Sequence, residues 1–77
     1  MRYPKSERLG HVVDTNGEFY SLHFRGENDG SAVILGPMPL SRRVTSIPEV
    51  HSEPASDPVD ARIKLSAWWV PRGWVKA

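Results

Sequence analysis

The chain of 77 residues contains no cysteine. Disulfide staples and thiolate metal sites are therefore excluded. So small a fold must rely on efficient packing or on self-association, which makes a homodimer one expectation. The lack of cysteine fits a reducing compartment. Long apolar runs are missing too, since no stretch approaches the roughly 18 residues of a membrane span. The opening residues Met1-Arg2-Tyr3-Pro4-Lys5-Ser6-Glu7-Arg8 are polar and charged where a secretory leader would be apolar. A cytoplasmic protein with no membrane partner is the expectation.

Basic residues are absent from one stretch. Over 49–60 lie the acids Glu49, Glu53, Asp57 and Asp60 with no lysine or arginine, so the remainder sets ten basic residues against five acidic ones. The net charge of +1 hides that polarity. A basic body is compatible with nucleic acid or an acidic protein surface, and equally with an ordinary soluble domain.

Motifs of known chemistry are scarce. Residues 26–30 lack the glycine spacing and the lysine-serine or lysine-threonine ending of a phosphate loop. The histidines at 11, 23 and 51 fall in different parts of the predicted structure, so neither a metal site nor a cofactor is expected. Ser21 and His23 share a strand face, but the sole carboxylate in reach to orient the imidazole is Asp14 across the hairpin, too little to specify a hydrolase.

The clearest local structure runs from Leu9 to Phe24. Asn16-Gly17 suits a two-residue turn with positive φ angles, and the flanking runs read as paired strands. With that turn setting the register, Val13 faces Tyr20, His11 faces Leu22 and Leu9 faces Phe24, giving one nearly apolar face. A turn at 26–30 leads into Ser31-Ala32-Val33-Ile34-Leu35, and closing it on two central residues puts Val33 and Leu35 on the same face as Leu22 and Phe24. Five prolines over 36–58 argue against long regular elements there, although Arg42-Arg43-Val44-Thr45-Ser46-Ile47 reads as a short strand. Residues 48–60 read as a flexible acidic loop containing proline.

All three tryptophans, Trp68, Trp69 and Trp74, stand in the last ten residues. A helix over about 58–69 has good start signals in Asp57, Pro58 and Asp60. Its apolar residues nonetheless split between two sides of the wheel: Val59, Ile63, Ala67 and Val70 on one, Ala61, Leu65, Trp68 and Trp69 on the other. A strand divides the segment more cleanly, with Ile63, Leu65, Ala67 and Trp69 inward and Arg62, Lys64, Ser66 and Trp68 outward, and is the preferred reading. Beyond Pro71, Trp74 is either a lid on the fold or an arm toward a partner.

These readings give a single all-β domain over 1–77, mostly antiparallel, a small SH3-like or partly open barrel of four to five strands, with α+β and a helix at about 58–69 as the alternative. The expected function is a non-catalytic binding module, an accessory or regulatory protein docking on another protein, with Trp68, Trp74, Arg72, Arg62 and Lys64 as the binding residues. The alternative is a nucleic-acid-binding barrel in which a base stacks on Trp68 while Arg62, Lys64 and Arg72 hold phosphates. An enzyme with a site shared across an oligomer is the third.

Overall fold

The computed structural model describes residues 4–27, 29–38 and 47–77. Its frame is an open five-stranded antiparallel sheet with one helix on one face. Along the chain come β1 (Glu7–Val13), β2 (Phe19–Arg25), β3 (Ser31–Leu35), β4 (Glu49–Pro54), α1 (Pro58–Trp69) and β5 (Val75–Lys76). Across the sheet the order is β4-β3-β2-β1-β5. Most of the expected strand at 42–47 lies outside the described residues. Among the described residues no helix is long and apolar enough to cross a membrane.

The first hairpin forms where the sequence places it, with a different turn. Gly17 N–H donates to the Asp14 carbonyl (3.1 Å) and Asp14 N–H to the Glu18 carbonyl (2.9 Å), while Gly17 takes φ 83°. This is a three-residue loop ending in a left-handed glycine, not a two-residue turn. The Asp14 carboxylate fixes it by accepting from the amides of Asn16 (2.8 Å) and Glu18 (3.0 Å). The extra residue moves the register: Val12 pairs with Tyr20, Val13 with Phe19 and His11 with Ser21. Side chains alternate between faces, so one step exchanges Val13 and His11 for Val12 on the core side. A bulge between Arg8 and Gly10 then returns Leu9 to that side.

The second turn shifts parity in the same way. Arg25 pairs with Ser31, leaving five residues in the loop, and Ala32 and Ile34 sit opposite Phe24 and Leu22. Val33 and Leu35, expected on that face, point to the other with His23 and Ser21. The acidic segment is not a loop over its first half: Glu49–Pro54 is edge strand β4, paired with β3. Charged residues and a proline at its end are normal on a sheet edge, so its lack of an apolar face is no bar to pairing.

The segment preferred as a strand is helical. Asp57 is the N-cap and accepts from Asp60 N–H (2.8 Å), Pro58 opens the helix, and Lys64 reaches Asp60 one turn back (3.0 Å). The decisive term is tertiary. Leu9, Val12, Tyr20, Leu22, Phe24, Ala32 and Ile34 make one sheet face apolar, and such a face requires a covering layer. Ala61 and Leu65 supply it with no exposed surface, and Trp68 and Trp69 pack beside them.

Candidate functional site

A reversal at the end of α1 places the tryptophans. Pro71 lies in a single 3-10 turn, Val70–Arg72, and Gly73 at φ 80° donates its N–H to the Val70 carbonyl (3.1 Å). The left-handed glycine turns the chain back, so that Val75–Lys76 pairs with β1 at Val12 and Val13. Trp74 is therefore a lid. Its ring stacks on Tyr20 at 4.4 Å and meets the edge of Trp68 at 5.2 Å.

Trp68 is surrounded by groups of its own chain. His51 of β4 stacks on it at 4.8 Å and 20°, and the Arg72 guanidinium lies 3.8 Å from its ring centre. Arg72 also donates to the Trp68 carbonyl (2.7 Å), a bond across one helical turn that holds the cation over the ring. His51 Nε2 is in turn 2.6 Å from a Glu53 carboxylate oxygen. Tyr20, Trp74, Trp68, His51 and Arg72 thus form one aromatic and cationic cluster along the border of helix and sheet. Neither Tyr20 nor His51 was a predicted member, because each meets its tryptophan across a separation in sequence that no local pattern encodes.

The five predicted binding residues are not brought together. Trp68, Trp74 and Arg72 meet in this cluster. Lys64 is turned to the opposite end of α1, where it donates to the Pro54 carbonyl (2.7 Å) and pairs with Asp60. Arg62 lines a separate cavity of about 300 Å³ with Trp69 and Lys76. The expected division of the tryptophans is also corrected: Trp68 and Trp69 both pack inward, while Ile63 and Ala67, expected in the core, are exposed. A helix turns 100° per residue, so Ile63 and Leu65 cannot share a face as they would in a strand.

Titratable groups near the core have structural partners. The Tyr20 hydroxyl donates to Asp14 (3.0 Å), and burial together with that carboxylate pushes the phenol up to about 12. The Asp14 carboxyl is held below its ordinary range, chiefly by the Glu18 amide, with Asn16 and Tyr20 adding to the effect. On the sheet face away from α1 the register brings His11, His23 and Ser21 together, whereas the sequence pattern separates the two histidines. Ser21 Oγ lies 2.5 Å from His23 Nε2. Burial, then Arg8, His11 and Arg25, keep the His23 imidazole below its usual value, which favours the neutral ring that shares this hydrogen bond with the serine hydroxyl. Ser21 is only 1% exposed, and Asp14 is occupied at the turn. The pair therefore satisfies a buried hydroxyl and presents no reachable nucleophile.

What α1 does present to solvent is its second apolar stripe. Val59 and Ile63, on the side of α1 opposite Ala61 and Leu65, are 67 and 64% exposed, and Val70, which opens the 3-10 turn after α1, is 55% exposed. The split helical wheel has a plain meaning: one stripe packs on the sheet and the other faces outward. Compared with known protein families, curated proteins and solved structures, the chain matches none of them.

Proposed function

We propose that the chain is a non-catalytic protein-binding module, accessory or regulatory in role, that docks on a partner protein through the outer face of α1. The observation that carries this reading is the exposure of Val59 and Ile63, one helical turn apart on α1, with exposed Val70 in the 3-10 turn that continues it. Isolated exposed apolar residues are ordinary, but these three, with exposed Ala67 beside them, match the spacing by which a helix enters an apolar groove. Covering the three would remove from water most of the side-chain surface still exposed, worth roughly 1–2 kcal/mol each. Trp68 and Trp74 support the surface from beneath: they lock the end of α1 to β4 and β2, so the stripe is presented on a rigid element.

The double substitution Val59→Ser, Ile63→Ser tests this. Partners that co-purify with the chain from its native host are expected to be lost, with the circular dichroism spectrum and unfolding midpoint little changed. Retention of the same partners at the same yield would exclude the outer face as the contact surface. Concentration-dependent sedimentation that disappears in the variant would identify the partner as a second copy.

A further inference from the structure

The cavity beside Trp69 has a lining whose chemistry is one-sided. It is a cleft open to solvent, of about 300 Å³, lined by Leu9, Leu22, Arg62, Ser66, Trp69 and Lys76. Leu9 and Leu22 are buried and give it an apolar floor. Among the described residues of the lining, every polar side chain can donate a hydrogen bond and none is a carboxylate. Among the described residues neither Arg62 nor Lys76 has a salt-bridge partner, in contrast to Lys64 on the other flank of α1, which is paired with Asp60. Trp69 contributes its ring; the indole nitrogen itself is covered and has no hydrogen-bond partner among the described residues.

We propose that this cavity is a binding site for a small organic carboxylate with an apolar body, of about one ring in size. The carboxylate lies between Arg62 and Lys76 with Ser66 in reach, and the apolar body rests on Leu9, Leu22 and the face of the Trp69 ring. An ionised carboxylate has about four acceptor positions on two oxygens and no donor, which is the complement of this lining. Arginine suits such a group because its planar fork matches the two oxygens. A dianionic phosphate is the poorer fit, since its third oxygen and second charge would lose hydration against a leucine floor. The volume is at the lower end for ligand sites, which limits the ligand to a compact molecule. The site assembles only on folding: Leu9 and Leu22 come from β1 and β2, Arg62, Ser66 and Trp69 from α1, and Lys76 from the short strand that Gly73 returns to the sheet.

Phenylacetate is the probe, and the readout is the set of three tryptophan indole N–H signals in a proton–nitrogen correlation spectrum, with Trp69 assigned through Trp69→Phe. Saturable movement of the Trp69 signal is expected, with a dissociation constant below about 1 mM in low salt. Acetate and 2-phenylethanol, which keep only the charge or only the ring, are expected to bind at least about tenfold more weakly. Arg62→Gln and Lys76→Gln, both at exposed positions, should each weaken phenylacetate by about tenfold and leave the rest of the spectrum in place. Failure to saturate by about 10 mM, equal binding of 2-phenylethanol, or unchanged affinity in both variants would overturn the proposal. Tighter binding of phenyl phosphate would overturn its carboxylate assignment. The Val59→Ser, Ile63→Ser variant should titrate as the wild type does, so this site and the outer-face reading fail independently.

Discussion

Truncating Leu65 and, separately, Ile63 to alanine reads the orientation of α1 directly. Leu65 is 0% exposed beneath the helix, and removing a fully enclosed leucine side chain costs roughly 2–5 kcal/mol through lost burial and the cavity left behind. Ile63, two residues earlier, is 64% exposed. Its truncation forfeits well under about 1 kcal/mol of burial, and alanine returns a few tenths of a kcal/mol through its better helix propensity, so the net change should lie within about 0.5 kcal/mol. For 77 residues the whole stability is of order 4–12 kcal/mol, which makes the leucine loss a large fraction of it. Urea unfolding, followed by tryptophan fluorescence and by circular dichroism, measures both. An expected loss near 3 kcal/mol for Leu65→Ala corresponds to a fall in Tm of about 12–24 °C. Comparable losses from the two substitutions would refute the reasoning, because they would place both side chains on one buried face, as a strand does.

The same geometry sets three other outcomes. Asp57→Ala removes the acceptor for the Asp60 amide and should cost about 1 kcal/mol in urea unfolding, with Asp57→Asn retaining most of it. Gly26→Ala should release the N-terminal segment, because a β-carbon there would overlap the Pro4 carbonyl oxygen. Faster hydrogen exchange of the Glu27 amide, which donates to that oxygen, with core amides still protected, is the expected signature. His23 is held below its ordinary value of 6.5 in the folded state, so folding favours the neutral ring. That contribution is present above about pH 6.5 and is lost as pH falls below it, when the unfolded chain binds the proton more readily. Urea midpoints should therefore drop between about pH 7.5 and 5.5 in the wild type and drop less in His23→Gln.

Much of the local structure is legible in the chain. Asn16-Gly17 marks the first reversal, the β-branched run after Gly30 marks β3, and Asp57-Pro58 marks the start of α1. Parity was not legible. Gly17 in the left-handed region, the irregularity between Arg8 and Gly10, and the five-residue second loop each change which side chains face inward, and nothing in the apolar pattern counts loop residues. β4 was hidden for another reason: an exposed edge strand has one neighbour and needs no apolar alternation, so Glu49–Pro54 carries a loop's composition and a strand's hydrogen bonds. The candidate site was legible in residue type and not in arrangement. Arg72 beside Trp68 agrees with helical spacing, whereas His51 against Trp68 and Tyr20 against Trp74 depend on the sheet order.

By itself the sequence determined a small, cysteine-free, antiparallel β-rich chain with its largest aromatic side chains near one end, and left open whether the residues beyond Pro71 fold back. Tertiary structure decided what that aromatic segment became. Two apolar stripes on a helix and one alternating stripe on a strand put nearly the same residues in the same order, so local pattern alone is degenerate for 58–69. The sheet resolves it, because the face formed by Tyr20, Leu22, Phe24 and Ile34 can be covered by Ala61, Leu65, Trp68 and Trp69 together only if they lie on one side of a helix.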